Sequence, residues 1–203
     1  MHAVAPELPI GQSVSEEFVR IRKRRDQDVD RLVRLIGSVR DVDGYPSHVT
    51  GAGLQTFVVA GDELAALVAE DEAGVAVGHA AVHEPAVSPV TDAAAAATGR
   101  GLSGLACIAR LFVDPAVRRA GVGGLLLDAA TDAAWGMDRW PFLDVWEALP
   151  NALALYDSRG WLRVGTEDIV FTSPCVEACR HVGNSIRSHV LVAPPPSAPS
   201  RPA

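Results

Sequence analysis

Leu111-Phe112-Val113-Asp114-Pro115-Ala116-Val117-Arg118-Arg119-Ala120-Gly121-Val122-Gly123-Gly124-Leu125-Leu126-Leu127 decides how this chain reads. A short apolar run ends in an Asp-Pro turn. Two arginines and a glycine cluster follow. Apolar residues then recur at Val122, Leu125, Leu126, Ala129, Ala130 and Ala133, the spacing of a helix with one buried face. The glycines therefore sit where a strand hands over to a helix N-terminus. Main-chain N–H groups there lack intrahelical partners and the helix dipole is positive, so the place suits an anion, phosphate above all. Glycine lets a phosphate approach the backbone because no Cβ intervenes.

Several phosphate ligands are excluded. A Walker A loop needs Lys-Ser/Thr after its last glycine, and Gly124 is followed by Leu125 and Leu126. A dinucleotide fingerprint needs a different glycine spacing and a later acidic residue. What remains is Arg118-x-x-Gly121-x-Gly123 after a Leu-Phe-Val-x-Pro strand end, which resembles the acyl-CoA signature of the GNAT N-acetyltransferase superfamily. The resemblance implies that Leu111, Phe112 and Val113 at the strand end, with Arg118, Arg119, Ala120, Gly121, Val122, Gly123 and Gly124, bind acetyl-CoA, the loop amides holding its pyrophosphate. The alternative is an ordinary glycine-rich strand-to-helix turn.

Asn151-Ala152-Leu153-Ala154-Leu155-Tyr156-Asp157-Ser158-Arg159-Gly160-Trp161 resembles a later motif of the same family, an Asn-started helix ending in Tyr-x-x-x-Gly-Phe/Trp. Asn151 after Pro150 reads as an N-cap and Gly160 as the residue just past the helix. Asn151 is implied to help bind the cofactor. Tyr156 is implied to lie near the thioester sulfur; its other reading is a packing tyrosine. Five residues separate Asn151 from Tyr156, where family members often have seven.

The chain has 203 residues, is 48% hydrophobic and 21% charged, and carries a net charge of −7. It is long enough for one sizeable core. The negative charge argues against nucleic acid as a bulk partner. No apolar run reaches a membrane span, and the N-terminus lacks a signal pattern, so the expectation is a cytoplasmic protein without a membrane partner. The three cysteines, Cys107, Cys175 and Cys179, form no even framework. Cys175, Cys179 and His181 lack a fourth ligand at suitable spacing, so no metal is expected. Arg20, Arg22, Lys23, Arg24 and Arg25 alternate with Phe18, Val19 and Ile21, so part of this basic run reads as the solvated face of a first strand.

Residues 1–15 show no period and are expected to be mobile; 194–203 are Pro/Ser-rich and expected to be a disordered tail. Between them, 16–193 read as one α/β domain with a mixed central sheet and flanking helices. Strands are expected at Phe18–Lys23, Leu64–Ala69, Val75–His83, Cys107–Val113, Phe142–Trp146, Val164–Thr172 and Arg187–Val192. A first helix, capped by Asp26 or Asp28, presents Val29, Leu32, Val33, Ile36 and Val39. Pro85–Gly104, with Ala93–Ala97 inside it, reads as a flexible hairpin loop and lid. Its Gly99-Arg100-Gly101-Leu102-Ser103-Gly104 matches G-x-G-x-x-G only formally, because it precedes a strand. The resemblance extends to this order of elements and implies the GNAT fold, in which the strands flanking the phosphate-loop helix splay and admit the pantetheine arm.

The activity so implied is transfer of an acetyl group from acetyl-CoA to a primary amine of a small molecule, peptide or protein. The alternative is a catalytically silent acyl-CoA-binding domain of the same fold. A homodimer is left open. Main-chain N–H groups near Phe112 and Val113 would polarise the carbonyl, and Tyr156 would protonate the leaving thiolate. Many relatives carry a glutamate before the Leu-Phe-Val end; here Gly104–Arg110 holds no carboxylate. The remaining candidate bases are Glu147, His79 and His83. The acceptor pocket is expected from the first helix, the Tyr45-Pro46 loop and the insert.

Overall fold

The computed structural model describes residues 19–46, 49, 51–170 and 185–196. One seven-stranded sheet organises them: β1 (Arg20–Lys23), β2 (Glu63–Glu70), β3 (Ala76–His83), β4 (Leu105–Val113), β5 (Trp140–Trp146), β6 (Leu162–Val170) and β7 (Ser185–Val192). Their spatial order is β1-β2-β3-β4-β5-β7-β6. Neighbours are antiparallel except β4 and β5, which run parallel. A parallel pair needs a crossover, supplied by α4 (Val122–Gly136).

The helices cover both faces. On one, α4 buries Val122, Leu126, Leu127, Ala130 and Ala134 with Leu67, Ala69, Ile108, Leu143 and Val145. The fit is close at Gly78 of β3, where a Cβ would stand 2.9 Å from Leu126 Cδ1 and 3.2 Å from the Phe112 carbonyl oxygen. α5 (Pro150–Ser158) adds Tyr156 to that cluster. On the other face, α1 (Val29–Asp43) buries Leu32, Leu35, Ile36 and Val39 against Val68, Ala76 and Phe112, with Phe57 of α2 (Gly53–Val58) alongside.

β4 carries a bulge. Arg110 has φ +56 and the register against β3 slips between His79 and Ala81. A bulge inserts one residue and turns the following side chains over. Accordingly Ala106 and Ile108 join the α4 cluster before it, but Leu111 and Val113 after it. Without that slip Phe112 could not pack on α1.

One expectation fails here and another holds only in part. The insert is not a loose hairpin: α3 (Pro89–Thr98) runs through it and packs Val90 and Ala94 on Leu105, Phe142, Val190 and Val192. Ser88 caps it, accepting from Thr91 N at 3.3 Å; Pro89 opens it and Gly99 closes it at φ +67. Alanines are the strongest helix formers, so the tract is a helix docked on the sheet. The basic run is a solvated face only in part: Arg20, Lys23 and Arg25 are exposed, but the other two arginines are turned inward. Arg22 grips Asp28 with two hydrogen bonds (2.7 and 2.8 Å) and also Glu70, while Arg24 grips Glu63 (2.7 and 2.5 Å). The Arg22 and Arg24 side chains are only 10% and 12% exposed. Asp28 stands at the head of α1, but its carboxylate turns back to Arg22 and the Arg25 N–H and makes no cap bond to the helix.

Candidate functional site

β4 and β5 are paired only where Leu105–Cys107 meet Trp140–Phe142. Beyond Cys107, β4 runs on to Val113 and β5 to Trp146 with no rung between them. The sheet opens into a wedge there.

At the wide end lies the glycine loop. The Asp114 carboxylate accepts from Ala116 N at 3.0 Å and from Arg31 Nη2 at 2.9 Å, which fixes the chain as it leaves β4. Arg118 makes a bidentate pair with Asp43 at the end of α1 (3.0 and 2.5 Å). Arg119 adopts φ +69 and is exposed. Gly121, φ +78, is the N-cap of α4; a branched residue would be strained there. The first-turn N–H groups of Val122, Gly123 and Gly124 have no intrahelical acceptor, which gives an anion site of backbone donors.

Two glycines serve packing as well. A Cβ on Gly123 would lie 3.4 Å from Leu155 Cδ2, and one on Gly124 only 2.0 Å from Arg159 Nη2. Arg159 crosses the first turn of α4 from the end of α5 and bonds Asp128 at 3.2 Å. Its cation beside the loop is a feature the sequence reading missed.

Tyr156 lies on α5 at 7% exposure, its ring 5.9 Å from that of Trp161. Burial raises its phenol pKa above the usual value, and Asp144 and Cys107 add to the effect. Gly160, φ +70, ends the segment as expected. Asn151 is not the N-cap: it is the second residue of α5, exposed, because Pro150 takes the first helical position and Leu149 precedes it.

The phenol feels the charge of a residue the sequence reading passed over. Asp144 on β5 is the second residue past the last β4–β5 rung, opposite Val190 of β7. By alternation it shares the face of Phe142, which belongs to the α3 cluster. It is solvent-exposed through the wedge, yet crowding by surrounding atoms pushes its pKa above the ordinary carboxylate value. Ser188, two residues from Val190 on β7, pulls the other way without closing a hydrogen bond. Ser188 Oγ is the one buried side-chain polar atom among the described residues that lacks a partner. Burial also pushes the Cys107 thiol up to about 12, with Asp144 the next cause. It raises the Tyr45 phenol too, with Tyr156 and Asp144 adding. Tyr45 after α1, Cys107 on β4, Asp144 on β5 and Tyr156 on α5 are therefore within electrostatic reach of one another.

The histidines do not. His79 is fully buried, with Nδ1 3.1 Å from the Arg110 carbonyl and Nε2 3.3 Å from Arg24 Nη1. Burial lowers its pKa to about 4, so it is neutral at pH 7. His83 lies between Asp62 (3.1 Å) and Arg110 Nη1 (2.9 Å), its pKa lowered by burial first. Arg110 places its guanidinium 5.3 Å from the Phe57 ring centre. Glu147, the remaining candidate, is exposed beside Arg187 at 3.9 Å.

Among the described residues no group of three or more His, Cys, Asp or Glu could hold a metal ion, and no helix is long and apolar enough to cross a membrane. Cys175, Cys179 and His181, like the expected mobile N-terminus, lie outside the described residues.

Residues 62–162 match the family model of the acetyltransferase (GNAT) domain. No curated protein matches in sequence. Among solved structures, the chain is similar to Arabidopsis thaliana NAA60 in complex with acetyl-CoA (TM-score 0.62, 16% identity, covering 86% of this chain and 97% of that one). It is also similar to a GCN5-related N-acetyltransferase from Kribbella flavida (0.60, 19%, 87% and 97%). A third is the ribosomal-protein-S18-alanine N-acetyltransferase from Escherichia coli (0.58, 15%, 92% and 99%). At these identities the likeness is one of fold.

Proposed function

The chain belongs to the GNAT acetyltransferase superfamily, and from that premise we propose that it transfers an acetyl group from acetyl-CoA to a primary amine of a small molecule, peptide or protein. The observation that carries this reading is the wedge between β4 and β5. It has an anion site of backbone donors at its mouth and a buried phenol at its throat. The donor set fits the cosubstrate. The N–H groups of Val122, Gly123 and Gly124 would take the pyrophosphate, with Arg119 and Arg159 beside them; Leu111–Val113 offers a strand edge to the amide-bearing arm. Relatives of this fold act on such acceptors, the alanine of ribosomal protein S18 in one case.

Tyr156 holds the proton for the departing sulfur. A coenzyme thiol has a pKa near 8.5, below that of any phenol in this wedge, so the thiolate leaves readily and takes its proton late. The Val113 N–H is on the wedge side of β4, because Asp114 N donates to the Val77 carbonyl on the β3 side and successive N–H groups alternate; it would polarise the carbonyl oxygen as it gains charge.

The test has two stages. Acetyl-CoA at 100 times its Kd is expected to stabilise the fold by about 2.7 kcal/mol, with ATP and NAD doing much less. Thiol release is then followed over a panel of alkyl amines, amino acids and peptides. A shift with ATP and none with acetyl-CoA refutes the cosubstrate. Tight acetyl-CoA binding with no turnover on any amine favours the silent binding domain.

A further inference from the structure

We propose that Asp144 is the catalytic base: its carboxylate receives the ammonium of the acceptor in the wedge and takes the proton that frees the nitrogen for attack. This rests on the acetyltransferase reading above.

Charge sets Asp144 apart. Five acidic side chains of the sheet and its connections are answered by guanidinium groups: Asp28 by Arg22, Glu63 by Arg24, Asp43 by Arg118, Asp114 by Arg31 and Glu84 by Arg139. Asp144 has no cation within 4 Å among the described residues. The groups facing it are the Tyr156 phenol from α5, the Cys107 thiol from β4, the Tyr45 phenol beyond α1 and the Ser188 hydroxyl from β7. None of these is charged at pH 7; the Arg110 guanidinium, which acts on Cys107 and Tyr45, is engaged by His83 and the Phe57 ring. A carboxylate crowded by apolar and weakly acidic groups lacks a counter-ion, and an incoming ammonium supplies one. Solvent reaches the position through the wedge, so the acceptor and the released proton both have a path.

A second, independent feature points to the same spot. Ser188 Oγ is completely buried and unpartnered, on the same face of β7 as Val190, the residue opposite Asp144. A small rotation would let that hydroxyl donate to the carboxylate and hold it toward the wedge; Ser188 is a positioning residue in this scheme. Position in the sheet completes the case. Asp144 shares the face of Phe142 and α3, whereas Tyr156 belongs to the α4 cluster. The acceptor thus meets its base on one face of the opened sheet and the thioester sulfur meets its acid from the other.

The protons balance. Asp144 takes one proton from the alkylammonium and passes it to water. The nitrogen lone pair forms the C–N bond to the thioester carbon. The C–S bond breaks, its electron pair stays on sulfur, and the Tyr156 phenol protonates that sulfur. The surplus proton of the new N-acyl ammonium restores the phenol. The products are an amide, a free thiol and one proton in solution.

This step is needed only for amines that are cationic at neutral pH. The experiment compares an alkyl amine with an aryl amine or hydrazide, neutral at pH 7, in the parent and in Asp144→Asn. Acetyl-CoA thermal shift verifies folding and cosubstrate binding in both. With the alkyl amine, kcat/KM is expected to fall by about 10²- to 10⁴-fold in the variant, and the acid limb of its pH profile to disappear. The aryl amine rate is expected to stay within a few-fold. Asp144→Glu is expected to restore part of the alkyl amine rate, and added formate to restore part of it in Asp144→Ala, which keeps the proposal testable should the Asn variant misfold. Unchanged alkyl amine turnover in Asp144→Asn, or equal loss on both amine classes, overturns the assignment. A parent that turns over neither amine while binding acetyl-CoA overturns the acetyltransferase reading instead, so the two failures are distinguishable.

Discussion

Along β1 the molecule answers charge with charge; in the wedge between β4 and β5 it does not. Arg22, Asp28 and Glu70 form a closed group under the first strand, and Arg24 and Glu63 a second, each with side chains at most 12% exposed. Twenty residues past the Gly-rich loop, Asp144 stands in a crevice with no counter-ion and two phenols nearby. The same sheet holds both. The first arrangement lowers the folded state's energy; the second holds a group ready for a partner that arrives from outside.

The sharpest way to break this contrast is at Tyr156. Tyr156→Phe removes one hydroxyl and keeps the ring on Trp161, so Tm and acetyl-CoA affinity should barely move. Thiol release by the best acceptor should fall in kcat by about 10²- to 10⁴-fold. Near-full kcat would make Tyr156 a packing residue and the wedge a binding cleft.

His79 sharpens the buried side of the comparison. Its folded pKa of about 4 lies below the unfolded value near 6.5. Above pH 6.5 both states are neutral and the stability is fully present. As pH falls toward 4 the unfolded chain binds the proton first, so up to about 3 kcal/mol is lost across that window. Denaturant titrations at pH 7 and pH 4.5 should show it, and His79→Gln should flatten the slope. A parent equally stable at both pH values would contradict the neutral, buried imidazole.

At the glycine loop, Gly121→Val places a branched side chain at φ +78. The acetyl-CoA stabilisation, about 2.7 kcal/mol at 100 times Kd, should vanish in thermal melts. Retained affinity would put the phosphates elsewhere.

The smallest effect is the most diagnostic pair. Arg22→Met leaves Asp28 buried without its partner and should cost about 1–3 kcal/mol in urea unfolding, with kcat unchanged. Asp144→Asn should leave Tm unchanged or raise it at pH 8. A raised folded pKa means the unfolded chain ionises first, so the folded state loses stability as pH climbs past the ordinary carboxylate range. Matching losses of Tm in both variants would erase the distinction between paired edge and open wedge.

Local patterns carried much of this into the sequence. All seven strands were legible from their apolar runs, to within about two residues. The phosphate loop and the Gly160 stop were legible because glycine at positive φ leaves a mark in composition. Three features were misread for identifiable reasons. Ser88, Pro89, five alanines and Gly99 are a complete helix signal, but the low-complexity composition obscured it. Pro150 outcompetes Asn151 for the start of α5. The basic run alternates like a surface strand, and only the long-range partners Glu63 and Glu70, some forty to fifty positions on, reveal that Arg22 and Arg24 are buried. Asp144 was invisible for a related reason. Nothing near it in the chain shows that β5 parts from β4 two residues earlier, or that a bulge at Arg110 reorients the facing strand.

That parting has a mechanical side. Strands β1–β4 and β5–β7 form two blankets of antiparallel ladder stitched by three rungs, Leu105–Cys107 with Trp140–Phe142, and by the helices laid across them. A zipper left mostly open is where the protein should breathe. Amides on the open edges of Arg110–Val113 and Asp144–Trp146 should exchange with solvent sooner than those of β2 and β3. An arm lying in the wedge would act as an eighth strand, closing the zipper from its open end and slowing that exchange in both blankets at once.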